Sequence, residues 1–118
     1  MEQNKKNPDN LEGCHEKYKA LNKKVYEVTA VIQEDDESER ELHYIFKKPN
    51  TASYDRYMKM SSVSASKAIR TFIQDNIIEE QKEELKNVIE EYPALAISVG
   101  EKLLYMLGLS KETSVKKL

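Results

Sequence analysis

Residues 24–34, KVYEVTAVIQE, and residues 40–48, RELHYIFKK, alternate apolar with polar positions and are rich in β-branched and aromatic side chains. A period of two predicts strands, and the acidic DDESE between them predicts the loop of a β-hairpin. Parity sorts the side chains onto two faces. Tyr26, Val28, Ala30 and Ile32 share one side of the first strand, as Leu42, Tyr44 and Phe46 share one side of the second. These form the expected core face, which needs a helical cover. The opposite face carries Val25, Thr29, Val31, His43 and Ile45, less apolar than the first but not purely polar.

Past Pro49 the period changes. Proline has no amide proton to give to a ladder, so the strand ends there. Asn50 or Thr51 is placed to cap a helix reaching about Met60, with Asp55 early enough to suit the positive end of the helix dipole. SSVS at 61–64 reads as a break. Ala65, Ala68, Ile69, Phe72 and Ile73 then recur at helical spacings, which predicts a second helix. Asn76 and Glu79 have capping-box spacing. They predict a third helix with Ile78, Leu85, Val88, Ile89 and Tyr92 inward and Glu79, Glu80, Glu83, Lys86 and Glu90 outward. Pro93 is placed to open a last helix, Ala94 to Leu107, with Gly108 as its stop. That helix is apolar on most sides, so it is either central in the domain or half-buried in a partner.

The pattern gives an α+β fold: an N-terminal antiparallel β-hairpin followed by a small bundle of three to four α-helices. Residues 24–109 form a single domain, 1–23 a flexible or partly helical segment, and 110–118 a flexible tail. In the N-terminal segment Leu11, Tyr18 and Leu21 favour a helix that Gly13 weakens. Phe46, Phe72, Leu85, Leu103 and Leu104 are the expected core anchors. A two-stranded hairpin is marginal alone and leaves both edges open to another chain, so a homo-oligomer is expected.

At 118 residues the length suits one domain. Charged residues make up 34 % of the chain, yet the apolar ones are grouped and periodic, which separates it from a disordered polyelectrolyte. The formal net charge of −2 lacks the basic excess that sequence-independent nucleic-acid binding normally uses. Lys5, Lys6, Lys17, Lys19, Lys23 and Lys24 cluster, but with glutamates interleaved. They keep a small cytoplasmic nucleic-acid-associated regulator as the alternative reading. Cys14 is the only cysteine, so no intramolecular disulfide can form and a reducing cytoplasm fits. The first residues lack the apolar core of a signal peptide. Ala94 to Leu109, interrupted by Ser98, Gly100, Glu101 and Lys102, is too short and too charged to span a bilayer.

Catalytic equipment is not legible. Cys14-His15 and the isolated His43 do not make a four-ligand zinc set. The run Glu34-Asp35-Asp36-Glu37 lacks the alternation and glycine of an EF-hand loop. Gly13, Gly100 and Gly108 do not form a glycine-rich turn that would build an oxyanion hole beside a nucleophile. A non-enzymatic protein without cofactor or metal is expected. The informative stretch is FKKPNTASYDRYMKM, which sets Tyr54, Tyr57 and Met58 one helical step apart after a Lys-Lys-Pro corner. Such residues either cover a core or grip a partner, since tyrosine is enriched at binding hot spots and methionine adapts to varied surfaces. Tyr54, Tyr57 and Met58, with Val25, Val31 and Ile45 on the second sheet face, are the candidate partner-binding residues.

The order of these features resembles the tail assembly chaperones of long-tailed bacteriophages and prophages of Gram-positive hosts. The resemblance rests on a Phe-x-x-Pro corner at Phe46 to Pro49 and a Tyr-Asp-Arg-Tyr helix at Tyr54 to Tyr57. An acidic helix follows, then a Glu-Tyr-Pro-x-Leu-Ala turn at Glu91 to Ala96 and an apolar helix ending at Gly108. It covers residues 24–109. Ala94 stands where the family pattern has glycine after the proline, and residues 1–23 have no counterpart in it. The resemblance implies a non-enzymatic cytoplasmic chaperone that coats the tape measure protein, recruits tail tube protein around it and then leaves. In such families a frameshift near the end of the reading frame often makes a longer product.

Overall fold

The structure, a computed structural model, describes residues 24–118. The expectations for residues 1–23, including Cys14, His15 and the lysine cluster up to Lys23, lie outside the described residues. Strands β1 (Val25–Gln33) and β2 (Glu39–Lys47) pair antiparallel in a two-stranded sheet. Their register sets Tyr26 against Phe46, Val28 against Tyr44 and Ala30 against Leu42, as side-chain parity requires. At the hairpin loop the Asp35 carboxylate accepts hydrogen bonds from the amides of Glu37 and Ser38, both at 2.9 Å, and from Ser38 Oγ at 3.0 Å. The Glu37 amide, followed by the Ser38 hydroxyl, holds the Asp35 carboxyl below its ordinary pKa. This turn takes the place of a glycine hairpin.

Four α-helices follow. Helix α1 (Thr51–Ser61) begins at Asn50, whose side chain accepts from the Ser53 amide at 2.8 Å. Helix α2 (Ala65–Asn76) begins at Ser64, which accepts from the Lys67 amide. A short 3₁₀ turn (Glu79–Gln81) leads into α3 (Lys82–Glu91), and α4 (Leu95–Met106) closes the domain. Residues 110–118 are exposed and carry no regular element. The core lies where β2, α2, α3 and α4 meet, around Leu42, Tyr44, Phe46, Phe72, Ile73, Leu85 and Leu103. Helix α1 packs chiefly on α2.

Several expectations are corrected. Asn76 does not cap a third helix. It is the last residue of α2, and its Nδ2 donates to Phe72 O at 2.8 Å and to Ser53 Oγ at 3.0 Å, tying α1 to α2. The regular helix after it starts at Lys82 rather than near Ile78. Pro93 lies in a turn before α4, which begins at Leu95 with no side-chain cap. Leu104 is only partly buried, unlike Phe46, Phe72, Leu85 and Leu103.

The edges of the hairpin are unequal, where both were expected to be open. Residues after α2 return to the outer edge of β2. Ile77 bridges Phe46, the Ile78 amide donates to Ile45 O at 3.1 Å, and the Ile45 amide donates to Gln81 Oε1 at 2.7 Å. Gln81 Nε2 reaches His43 O at 3.5 Å. A side-chain amide thus supplies what a third strand would have supplied to an otherwise exposed ladder.

Candidate partner-binding groove

The Lys-Lys-Pro corner and the Asn50 cap fix where α1 starts, and two contacts fix how it lies. Arg56 pairs with Asp75 on α2, and buried Ser53 accepts from Asn76. The face of α1 turned toward the core carries Tyr57, whose ring packs on Phe72 with centroids 5.0 Å apart. Tyr54 leans on Tyr57 at 6.4 Å. Met58 stands outward, 48 % exposed.

The end of α4 forms the opposite wall. Gly108 adopts φ +105°, a left-handed conformation that a Cβ would strain. This turn lets the Leu109 amide donate to Leu104 O at 3.0 Å and the Gly108 amide to Tyr105 O at 3.2 Å, the Schellman arrangement. The chain reverses, and Leu109 is brought back beside Leu104. Between the two walls lies a groove of about 500 Å³ lined by Thr51, Tyr54, Tyr57, Met58, Leu104, Leu107, Gly108 and Leu109. Asp55, Arg56 and Lys59 are exposed on the same helix. An apolar trough on a helix whose other positions are charged and exposed can accept a rod of apolar side chains while the body remains hydrated.

The structure therefore brings Tyr54, Tyr57 and Met58 together and adds Leu104, Leu107 and Leu109, which the sequence reading did not place there. A signal was present: an apolar residue just after a helix-stopping glycine commonly folds back onto the last turn. The second sheet face does not supply one surface. Ile45 is fully buried and packs with Ile78 and the partly buried Val25, because the return of residues 77–81 covers that end. Ile45 is thereby removed from any docking surface. Val31, 57 % exposed, lies toward the other end of the strand. Between them His43 is held by polar neighbours, with Nδ1 2.7 Å from Glu27 Oε2 and 3.1 Å from Thr29 Oγ1.

Among the described residues there is no group of three or more His, Cys, Asp or Glu placed to hold a metal ion, and no helix long and apolar enough to cross a membrane. A family model described as a domain of unknown function, DUF6848, matches residues 14–116. The chain belongs to this family. An uncharacterised protein, rbstp2171 from Bacillus stearothermophilus, has a solved structure similar to this one. It is 26 % identical, with a TM-score of 0.72 over 86 % of this chain and 99 % of its own. The likeness thus takes in nearly the whole of that protein, hairpin and helices together. No curated protein matches the chain.

Proposed function

We propose that this protein is a non-enzymatic tail assembly chaperone of a long-tailed phage or prophage. It holds amphipathic helical stretches of the tape measure protein in the host cytoplasm and assists tail tube assembly. The groove between α1 and the end of α4 carries the reading, because it joins the Tyr-Asp-Arg-Tyr helix and the glycine-stopped apolar helix of the resemblance into one trough. The energetics suit a holdase. Tyr54, Met58 and Leu109 are each between a third and a half exposed. Covering the remainder of each contributes roughly 1 kcal/mol, since full burial of such a side chain contributes about 1.5–3 kcal/mol. About 3 kcal/mol from three anchors gives a weak contact once ordering costs are counted. Many weak contacts along a long helical client solubilise it without trapping it.

The test separates gripping residues from packing ones. Tyr57 lies on Phe72 and belongs to the fold, so the informative variant is Tyr54→Ser with Met58→Ser. Both side chains are substantially exposed, and the fold should keep its melting temperature within a few degrees. Co-expressed tape measure protein should then precipitate, while the wild-type chaperone keeps it soluble. A folded double variant that still keeps the client in solution would remove this groove from the function.

A further inference from the structure

We propose that the outer edge of β1 is a self-association surface, pairing antiparallel with β1 of a second copy about a two-fold axis at Thr29. This goes beyond the chaperone reading and does not depend on it. The first observation is the asymmetry of the hairpin. The β2 edge is closed by Ile77, Ile78 and Gln81, whereas among the described residues none hydrogen-bonds the outward backbone of Thr29 or Val31 on β1. Because both the amide and the carbonyl of Ile45 bond outward, Ile45 and its partner Glu27 form a non-hydrogen-bonded pair. By alternation Thr29 and Val31 also direct their amides and carbonyls away from β2, toward the open side.

The second observation is that the core stops short there. On β2 the core-face residues Leu42, Tyr44 and Phe46 are buried, but on β1 Tyr26 is 42 % exposed, and Ala30 and Ile32 are only partly covered. Beneath β1 a second groove of about 630 Å³ is lined by Ala30, Ile32, Tyr92, Leu95, Val99 and Lys102, among others. A further strand beside β1 would continue the sheet over this opening and set its own alternate side chains on the same apolar face.

The third observation selects the occupant. An antiparallel pairing of β1 with itself that uses all of Val25–Gln33 has one register, with Thr29 opposite Thr29. In it outward-directed residues meet outward-directed residues, as ladder hydrogen bonds require. Val28 falls opposite Ala30, Tyr26 opposite Ile32 and Glu27 opposite Val31, so no like charges face each other. Immediately beyond the strand, exposed Lys24 falls opposite Glu34 of the second copy, and the two-fold axis repeats that pair. The strand is self-complementary in pattern and in charge, which is what an isologous interface demands.

Sedimentation of the full chain, followed by amide exchange, tests this. With rising concentration the mass should move from 13.7 kDa toward twice that value, and the Thr29 and Val31 amides should gain protection as it does. Lys24→Glu should weaken the dimer roughly tenfold by setting like charges opposite each other twice. Glu34 also pairs with Arg40 of its own hairpin at 3.4 Å, so Lys24→Glu is combined with Glu34→Lys and Arg40→Gln; this should restore association, which mere damage to the fold would not allow. Val31→Pro deletes an outward amide without removing a β1–β2 hydrogen bond, and should leave a folded monomer. A chain that stays at 13.7 kDa up to millimolar concentration would overturn the proposal. So would a dimer whose Thr29 and Val31 amides exchange as fast as in the monomer, or a charge exchange that fails to restore association.

Discussion

Replacing Gln81 with methionine tests whether one side chain closes the β2 edge. Gln81 is 2 % exposed, and its Oε1 accepts the Ile45 amide at 2.7 Å. Methionine fills nearly the same volume and offers no comparable acceptor, so the Ile45 amide is left enclosed without a partner. An orphaned buried donor costs about 1–3 kcal/mol. The contact from Gln81 Nε2 to His43 O is long at 3.5 Å and adds little. Gln81→Met should therefore destabilise the domain by about 1–3 kcal/mol, each kcal/mol lowering the melting temperature of a domain this size by roughly 4–8 °C. Gln81→Glu should behave differently with pH. It keeps an acceptor for Ile45 but sets a buried carboxylate near the His43 carbonyl, which raises the new group's pKa in the fold. A raised folded-state pKa means that the penalty is absent below the unfolded value of about 4.3 and grows as pH rises through the folded value. Thermal melts at several pH values, with exchange at the Ile45 amide, read both effects. A Gln81→Met protein that melts within about 1 °C of wild type and keeps a slow Ile45 amide would refute the edge-closing role.

Two further perturbations probe the core. The Tyr44 hydroxyl is enclosed with no hydrogen-bond partner among the described residues, so Tyr44→Phe should be neutral or up to about 1 kcal/mol stabilising near neutral pH, and a clear loss in chemical denaturation would contradict that. Burial, reinforced by Glu84, also raises the Tyr44 pKa above its ordinary 10.0, so wild-type stability should fall as pH climbs past that value while Tyr44→Phe falls less. A Cβ on Gly100 would stand 2.6 Å from Ile69 Cγ1, so Gly100→Ala should cost about 1–3 kcal/mol by forcing α4 off α2, and an unchanged melting temperature would show that Ile69 has room to move.

What the sequence made legible was local. The two strands, their parity, the Asn50 cap, the break before α2 and the Gly108 stop each depend on residues a few positions apart, and periodicity and capping chemistry report on that range. What it hid was long-range. Gln81 binds a strand 36 positions earlier, and a polar residue between two acidic runs gives no hint that it will be buried. Ile45, read as a face open to partners, is enclosed for the same reason. Capping-box spacing at Asn76 misleads because it is also close to one helical turn, and the Asn76 amide reaches Ser53 on a neighbouring helix instead. Leu104 shows the converse: an apolar helix all round suggests burial, but its last turn faces the groove.

Helix α4 resolves the choice its sequence posed, between a central element and one half-buried in a partner. Its middle is central, since Gly100 lies close against Ile69 and Ile73 of α2, and Val99 and Leu103 are buried. Its flanks also reach outward: Leu95 and Val99, themselves buried, floor the opening under β1, while Leu104 and the capping Leu107 wall the trough beside α1. One apolar helix therefore reaches two surfaces through opposite ends, which is why its hydrophobicity exceeds what the core alone uses. The separation has a consequence for the proposed chaperone. A single trough worth about 3 kcal/mol grips weakly, but two troughs joined by β1 pairing act on the same long client at high effective concentration. If both proposals hold, client solubility in co-expression would fall with Val31→Pro, which separates the copies, as well as with Tyr54→Ser and Met58→Ser, which alter the groove.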